Sequence, residues 1–385
     1  MTARVRAARA LGRILRGGAW SNVLLGNAGD DEGRVVAALT MDALRTHGLA
    51  DTALGEASGR PLAKIQDEVR DLLRIAVGEL DRGRTPPEIV TSASVDAVRE
   101  LGHPRAAGFV NGVLRSVVSS GLPDLGAAER LGVPEWLRGR VRAEWGAAEA
   151  ERFWAASAEP ARVGLYGVDP ESSHDRVPGV PDAWLADRPD PAFQVIDPAS
   201  AAVARALEVE PGERVLDLAA APGGKTAILL AATGPAGLVV AVDHHARRTR
   251  TAAERVPGAH WVRADGRHPP FDAGTFDRVL LDAPCSGLGT LRRRPEILRR
   301  VQESEVDRLA HLQGDLIDQA KALVKPGGRL VFSVCTVLAS ETTAHVDGGW
   351  REPDGLSAGR PWGKGRLLAP HLGPTDGMFV SILDS

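Results

Sequence analysis

The chain has 385 residues, of which 43% are hydrophobic and 25% are charged. This composition is typical of a folded globular protein and excludes general disorder. The length predicts two or three domains, because it exceeds what one hydrophobic core usually serves. The formal net charge of −3 excludes a protein covered with positive charge, so any contact with nucleic acid must come from local basic clusters.

Two basic clusters occur along the chain. Residues 1–25 carry no acidic residue and five arginines, namely Arg4, Arg6, Arg9, Arg13 and Arg16. Residues 291–300 carry Arg292, Arg293, Arg294, Arg299 and Arg300, opposed only by Glu296. Each cluster is either a solvated face or a surface that contacts nucleic acid, and the sequence leaves both interpretations open.

The N-terminal segment is not a secretory signal, because arginines interrupt every apolar run before a signal-type core of about 7 residues forms. Its apolar residues Val5, Ala8, Leu11, Ile14 and Leu15 have helical spacing and predict the first amphipathic helix of a domain. No apolar stretch approaches the roughly 20 residues that span a bilayer. We therefore expect a cytoplasmic protein without a membrane partner.

The first third of the chain has a helical pattern, broken by turn residues at Gly48, Pro86-Pro87 and His103-Pro104. We predict an all-α domain over residues 1–122. Residues 123–193 hold a short helical stretch and then a proline-rich segment, which indicates a linker with a small subdomain.

From residue 214 onward, short apolar runs alternate with helical stretches, which is typical of a mostly parallel sheet with helices on both faces. We predict an α/β Rossmann-like domain over residues 194–385. Its predicted strands are 215–218, 238–242, 260–263, 278–281, 329–333 and 379–383. The glycine- and proline-rich stretch 348–374 predicts a loop.

The first four of these strands each end against an aspartate, namely Asp217, Asp243, Asp265 and Asp282. Ligands of open α/β sheets bind beyond the carboxyl ends of the strands, so we expect these acids to line one edge. Each acid could instead be a cap of the following helix.

A glycine-rich turn follows the first strand and leads into a helix predicted to begin at Thr226. Glycines there let backbone N–H groups approach a ligand. A phosphate-binding P-loop is excluded, because its first glycine is replaced by Ala219. Asp243 lies 20 residues after Gly223, where an acid can accept both ribose hydroxyls, and Asp265 can reach an adenine amino group.

The only two cysteines, Cys285 and Cys335, each follow a predicted strand. Two cysteines exclude a disulfide framework and a cysteine zinc site, and we expect no metal. Thiols at the ligand edge of a sheet, one of them beside Asp282, suit covalent chemistry on an electrophilic ring carbon.

Three motifs within residues 194–385 resemble those of the Sun/NOL/NOP2 RNA 5-methylcytosine methyltransferases. They read Asp-Leu-Ala-Ala-Ala-Pro-Gly-Gly-Lys-Thr from Asp217, Asp-Ala-Pro-Cys-Ser-Gly-Leu-Gly from Asp282 and Ser-Val-Cys-Thr from Ser333. Residues 4–118 resemble a NusB-type RNA-binding domain, most clearly in Gly-Phe-Val-Asn-Gly-Val-Leu-Arg from Gly108. This pairing is similar to bacterial enzymes that methylate a cytosine of 16S ribosomal RNA.

The resemblance implies S-adenosylmethionine as the cofactor, RNA as the partner and, we expect, a monomeric enzyme. The residues that would hold the methionine end of the cofactor are Ala219, Ala220, Ala221, Pro222, Gly223, Gly224 and Lys225. Asp243 would bind its ribose, Asp265 its adenine, and Asp282 would lie between the cofactor and the base. In this family Cys335 would attack the base and Cys285 would assist product release.

Two other functions stay open at this stage. A DNA cytosine-5 methyltransferase would use the cysteine of a Pro-Cys motif, which is Cys285 here; the second thiol at Cys335 and the helical domain disfavour it. A non-catalytic RNA-binding or antitermination factor with a degenerate methyltransferase domain is disfavoured by the intact thiols and the four acids.

Overall fold

The computed structural model describes residues 1–26, 30–169 and 172–385. The chain divides into two compact units. The helical unit comprises Met1–Pro160 and Leu291–Arg300, and the α/β unit comprises Ala161–Thr290 and Val301–Ser385. The predicted domain boundaries at residues 122 and 193 stay predictions.

The helical unit contains ten α-helices within its described residues and no strand. They are α1 (Ala3–Leu15), α2 (Ser21–Leu25), α3 (Asp31–Arg45), α4 (His47–Ser58), α5 (Asp67–Arg82), α6 (Pro87–Glu100), α7 (Ala107–Ser120), α8 (Ala127–Leu131), α9 (Glu135–Trp145) and α10 (Ala147–Ala158). The residues Val69, Leu72, Leu73 and Ala76 of α5 are buried and Leu80 is partly buried, which is the spacing of one apolar face of an amphipathic helix. Burying each leucine or valine side chain stabilises the fold by about 1.5–3 kcal/mol. These residues belong to the hydrophobic core of the helical unit, and α5 is the central helix of that core.

The basic face of α1 is largely neutralised by neighbouring helices. Three of its arginines form ion pairs: Arg4 with Glu79 at 2.8 Å, Arg6 with Glu32 at 3.1 Å and Arg16 with Asp71 at 2.5 Å. Arg9 and Arg13 are exposed and have no carboxylate partner among the described residues. Only these two arginines of α1 are therefore offered to a polyanion.

The second basic cluster packs as part of the helical unit. Glu296 is fully buried, and its carboxylate accepts hydrogen bonds from the Ser21 backbone N–H at 2.8 Å and the Ser21 hydroxyl at 3.0 Å. Arg300 donates to the Ile14 carbonyl at 2.9 Å and stacks over the Trp20 ring at 4.2 Å. At these two positions the charged side chains contact residues far away in sequence. They therefore contribute to the packing of the helical unit.

The α/β unit begins with a small antiparallel sheet in the proline-rich segment. Its strands are β1 (Val163–Tyr166), β2 (Asp175–Arg176), β3 (Ala183–Ala186) and β4 (Gln194–Val195). They pair in the order β2-β3-β1-β4.

The main sheet of the α/β unit has eight strands. They are β5 (Arg214–Asp217), β6 (Leu238–Asp243), β7 (His260–Arg263), β8 (Phe276–Asp282), β9 (Val324–Val334), β10 (Arg360–Trp362), β11 (Gly365–Leu368) and β12 (Met378–Asp384). The order is β10-β11-β12-β9-β8-β5-β6-β7, and β5 to β9 pair in parallel. The accompanying helices are α11 (Pro198–Ala206), α12 (Gly224–Thr233), α13 (Ala246–Arg255) and α14 (Glu303–Leu323).

The predicted Rossmann-like fold and its six strands are confirmed, but the loop predicted over 348–374 is wrong in part. Residues of this stretch form β10 and β11, and β11 pairs antiparallel with β12 from Arg366 opposite Val380 to Leu368 opposite Met378. Strands this short at a sheet edge carry too little periodicity to be recognised locally, because pairing with β12 is what orders them.

Strand order places a crevice at the carboxyl ends of β5 and β8. From β5 the chain proceeds outward through β6 and β7, whereas β8 and β9 lie on the other side of β5. Ligands of doubly wound sheets bind at such a switch point. Asp217 and Asp282 are the last residues of these two strands. In the part of the chain that is described, no helix is long and apolar enough to cross a membrane.

Candidate active site

The turn between β5 and α12 approaches a ligand position with its backbone. Gly223 has φ +99°, a left-handed conformation that favours glycine, and α12 begins at Gly224 rather than at the predicted Thr226. Asp243 supports this turn, since its carboxylate accepts from the Ala221 backbone N–H at 3.2 Å and from the His245 N–H at 2.9 Å. The carboxylate therefore links the ends of β5 and β6.

Asp217 is a fully buried acid beneath this turn. One of its oxygens accepts from the Thr226 hydroxyl at 2.7 Å, and the other has no hydrogen-bond partner among the described residues. Burial raises the pKa of Asp217 to about 7, against the opposing effects of Thr226 and Lys225. The sequence predicts that Asp217 lies at the ligand edge but gives it no role. In the structure its second oxygen is a buried acceptor to which a cationic group can donate a hydrogen bond.

One cleft is lined by most of the residues predicted to hold the methionine end of a cofactor. Its wall consists of Ile196, Ser200, Asp217, Ala219, Ala220, Ala221, Pro222, Gly224, Lys225 and Asp282. Backbone amides, an unsatisfied buried carboxylate and a lysine match the carboxylate and ammonium of an amino acid. The donors and acceptors of this cleft therefore fit S-adenosylmethionine.

Asp265 does not belong to this cleft wall. Its carboxylate forms an ion pair with Arg267 at 2.6 Å and also accepts from the Arg267 backbone N–H at 3.0 Å. These hydrogen bonds lower the pKa of Asp265 to about 2. The predicted contact between Asp265 and adenine stays a prediction, because Arg267 engages the carboxylate here.

Lys225 and Asp282 form an ion pair at the end of β8. The Lys225 ammonium lies 2.6 Å from one Asp282 oxygen, and the other oxygen accepts from the Ser333 hydroxyl at 2.8 Å. Burial opposes the charge on Lys225, but Asp282 and a negative charge on Cys335 outweigh it and raise the pKa of Lys225. Lys225 therefore keeps its ammonium charge in this buried position.

The two cysteines, 50 residues apart in sequence, come into contact. The Cys285 and Cys335 sulfur atoms are 3.3 Å apart, which is hydrogen-bond distance for thiols. The hydrogen bond with Cys335, burial and nearby negative charges raise the pKa of the Cys285 thiol well above its ordinary value. Cys285 is therefore protonated at neutral pH and can donate to the Cys335 sulfur.

Glycines explain how the loop after β8 fits against Cys335. The Gly289 N–H donates to the Cys335 carbonyl at 3.0 Å, and the Gly289 carbonyl accepts from the Gly377 N–H at 2.7 Å. A Cβ atom on Gly289 would lie 2.0 Å from the Gly377 carbonyl oxygen. Close backbone approach therefore requires glycine at this position of the Ser-Gly-Leu-Gly motif.

One residue of the site was missed from the sequence. Glu341 is fully buried and accepts hydrogen bonds from the residues that follow both thiols, Ser286 and Thr336. The available signal was weak: an acid in the apolar stretch that begins after Thr336. Among the described residues no group of His, Cys, Asp or Glu side chains could hold a metal ion.

Comparisons with known proteins give the family of this chain. The model of the 16S rRNA methyltransferase RsmB/F family matches residues 204–384, and that of the NusB family matches residues 1–119. Ribosomal RNA small subunit methyltransferase B of Xanthomonas campestris pv. campestris is 34% identical, over 91% of this chain and 88% of the relative. The protein of that name from Pseudomonas putida is 29% identical over 100% and 98%, respectively.

Solved structures show the same fold. PH0851 matches with a TM-score of 0.77 at 23% identity over 99% of both chains, and NSun6 from Pyrococcus horikoshii with 0.58 at 20% identity over 65% of this chain and 98% of its own. The predicted NusB-like domain, the methyltransferase fold and the cofactor S-adenosylmethionine are confirmed. The chain belongs to the RsmB/F family of 16S rRNA methyltransferases, with a NusB domain over residues 1–119.

Proposed function

We propose that this enzyme transfers a methyl group to carbon 5 of a cytosine in 16S ribosomal RNA through a covalent adduct between Cys335 and carbon 6. The observation that carries the proposal is the contact between the two thiols, 3.3 Å apart beyond the ends of β8 and β9. A nucleophilic thiolate with a protonated neighbour suits reversible addition to a ring carbon.

S-adenosylmethionine supplies an electrophilic methyl group when it is bound. The turn 219–225 would hold its methionine end, and the unpaired oxygen of Asp217 would accept from its ammonium group. Asp243 would bind the ribose and Asp265 the adenine. Asp243 already links two strand ends, so it would also keep the turn in its binding conformation.

Carbon 5 of cytosine is a weak nucleophile, so the base must first be activated. Cys335 as a thiolate would form a bond to carbon 6, and the displaced electron pair would make carbon 5 nucleophilic. The ammonium of Lys225 favours a negative charge on Cys335. The protonated Cys285 would donate a hydrogen bond to the attacking sulfur and later assist release of the product.

Asp282 would act on the far edge of the base. A hydrogen bond or a proton at N3 stabilises the adduct, and Asp282 would donate it in its protonated form, with a proton taken from the Lys225 ammonium 2.6 Å away. A base must then take the carbon 5 proton; the electron pair of that bond forms the double bond between carbons 5 and 6, the bond between Cys335 and carbon 6 breaks, and the thiolate is restored. The target cytosine must be unstacked for this chemistry, which single-stranded or loop RNA permits most easily.

A direct assay tests the proposal. The purified protein should incorporate the methyl group of labelled S-adenosylmethionine into undermethylated small-subunit ribosomal RNA, and bisulfite sequencing should reveal newly protected cytosine. Incorporation into RNA without bisulfite protection would retain an RNA methyltransferase but reject carbon 5 of cytosine.

We expect cofactor affinity to depend on pH through Asp217. With its pKa raised to about 7, Asp217 is protonated in the free protein at lower pH, and a cationic ammonium favours the ionised form. Binding must then displace the proton, so affinity should rise by up to about tenfold per pH unit between about pH 5 and pH 7. Calorimetry in buffers of different ionisation enthalpy measures both the affinity and the released proton.

Two variants separate Asp217 from its neighbours. Asp217→Asn should flatten the pH profile, because no proton is displaced. Asp243→Ala should weaken binding by about ten- to hundredfold at every pH, since a charged acceptor is lost, but should keep the slope. A flat profile in the unmodified protein would exclude Asp217 from contact with the ammonium.

The exposed arginines of α1 give a prediction for RNA binding. Replacing Arg9 and Arg13 with glutamate should raise KM for structured RNA while kcat is unchanged, because these arginines of α1 have no carboxylate partner within residues 1–26, 30–169 and 172–385. The slope of log affinity against log salt should fall by about 0.7–0.9 for each lost phosphate contact. The same double change at Arg34 on α3 and Arg99 on α6, which pair with Asp31 and Asp96, is the control with an equal change in net charge. Equal losses in both variants would assign the effect to net charge alone.

A further inference from the structure

A buried hydrogen-bond network surrounds Glu341, whose side chain is fully inaccessible. One carboxylate oxygen accepts from the Ser286 backbone N–H at 2.8 Å and from the Gln313 amide at 3.2 Å. The other accepts from the Ser286 hydroxyl at 2.5 Å and from the Thr336 hydroxyl at 3.0 Å. The two hydroxyls are 2.7 Å apart. We refer to Ser286, Gln313, Thr336, Glu341 and His345 as the Glu341 network.

The position of these donors in the sequence gives the network its meaning. Ser286 directly follows Cys285, and Thr336 directly follows Cys335. One carboxylate therefore binds the neighbouring residue of each thiol, and these two chain segments are 50 residues apart. The distance between the two sulfur atoms depends on how these segments are joined.

The loop that carries Cys285 is held on its other side as well. The Gln313 amide donates to the Pro284 carbonyl at 2.8 Å, and Pro284 directly precedes Cys285. The Gln313 amide oxygen can only accept, so His345 Nε2, 3.1 Å away, donates to it and fixes the orientation of the amide. Cys285 is thus anchored through the residue before it and the residue after it.

Burying the carboxylate of Glu341 in the protein core costs free energy. Glu341 has no cationic partner within hydrogen-bond distance among the described residues, and burying a carboxylate against neutral donors alone carries a desolvation penalty. Four donors on two oxygens offset part of this penalty, and no smaller neutral side chain can accept all four. A buried carboxylate with this desolvation penalty is expected where its hydrogen bonds fix the relative positions of chain segments.

We propose that Glu341 is a positioning residue that holds the Cys285 loop and the Cys335 segment together, so that the two thiols stay in contact. The effect of Glu341 on catalysis rests on the proposed covalent mechanism. In that mechanism a small displacement of the nucleophile or its partner lowers the reaction rate strongly. The positioning itself is a property of the folded protein and can be measured without RNA.

The chain contains only two cysteines, which makes their proximity directly measurable. Diamide, a diazene oxidant, joins two adjacent thiols in a disulfide; the two thiol protons and two electrons pass to the diazene, which becomes a hydrazine. The rate at which both free thiols disappear from the monomer reports how often the sulfur atoms meet. Thermal unfolding and cofactor binding check that each variant is folded.

Three variants of Glu341 network residues and one control should be compared. Glu341→Ala should slow disulfide formation by about tenfold or more and lower kcat by about ten- to hundredfold, because several hydrogen bonds to a charged group are lost. Glu341→Gln keeps the shape and can still accept from the Ser286 and Thr336 hydroxyls, but its NH2 group would face the Ser286 N–H and the Gln313 amide, so it should lose less of both rates than Glu341→Ala. Thr336→Val, which removes one donor and is milder for folding, should give an intermediate loss.

Glu296 is the matched control, because it is equally buried and also binds a serine, but in the helical unit. Glu296→Ala should lower thermal stability and change the rate of disulfide formation by less than about twofold. An unchanged disulfide rate in folded Glu341→Ala and Thr336→Val would overturn the proposal. Loss of kcat in Glu341→Gln equal to that in Glu341→Ala, with the disulfide rate unchanged, would also overturn it, since the charge would then be what matters.

The same data distinguish this inference from the proposed function. If the unmodified protein methylates no RNA but Glu341→Ala slows disulfide formation, the positioning role stands and the covalent mechanism fails. If the unmodified protein forms 5-methylcytosine and Glu341→Ala leaves both rates unchanged, the function stands and the positioning role fails.

Discussion

Replacing Cys335 with serine should abolish methyl transfer and covalent capture of RNA, whereas replacing Cys285 with alanine should preserve capture and block release. A serine hydroxyl is scarcely ionised at neutral pH, so the loss at Cys335 should reach several orders of magnitude. Cys285 has a raised pKa and is protonated, which suits a donor better than a nucleophile.

The measurement is a denaturing gel of the protein with RNA that contains the target site. Cys285→Ala should accumulate an RNA–protein species that survives denaturation, although loss of its hydrogen bond to Cys335 should slow capture by less than about tenfold. RNA with 5-fluorocytosine should trap the unmodified enzyme in the same way, because carbon 5 then carries no removable proton.

The alternatives predict other patterns. A cytosine-5 methyltransferase that attacks through Cys285 would show capture by Cys335→Ser and none by Cys285→Ala. A protein without catalytic activity would show no capture by any variant, even with 5-fluorocytosine. Either result would contradict the assignment of Cys335 as the nucleophile.

The second large effect concerns the ion pair between Lys225 and Asp282. Lys225→Met should abolish turnover and destabilise the protein by about 2–3 kcal/mol, because it leaves the Asp282 carboxylate at the cleft with only the Ser333 hydroxyl. The value lies below the 3–5 kcal/mol expected for a fully buried pair, since the Asp282 side chain is 25% exposed. Urea unfolding measures the change in free energy.

Two further variants complete this test. Lys225→Met combined with Asp282→Asn removes both charges and should recover most of the stability without activity. Lys325→Met is the matched control: Lys325 lies 2.7 Å from Asp277, but both side chains are about one third exposed, so the cost should stay below about 1 kcal/mol. Equal destabilisation by Lys225→Met and Lys325→Met would show that the pair at the cleft has no special environment.

Much of the fold and the site could be predicted from local patterns. The apolar spacing of α5 and the short apolar strands β5 to β9 are periodic over several residues, so they indicate element type without knowledge of the neighbours. The aspartates at strand ends and the two cysteines followed from the rule that parallel strands carry ligands at their carboxyl ends. Asp217 and Asp282 line one cleft and the thiols are in contact, in agreement with that rule, whereas Asp265 lies outside the cleft wall and pairs with Arg267.

The sequence by itself determined the kind of fold, the glycine turn and the two thiols, whereas only the tertiary structure decided which charges are free. Arg4 forms an ion pair with Glu79, 75 residues away, and Arg300 donates to the Ile14 carbonyl, 286 residues away. Glu341 likewise meets Ser286 across 55 residues. Periodicity reports only near neighbours along the chain, and burial and hydrogen bonding of a charged group depend on segments brought together by folding.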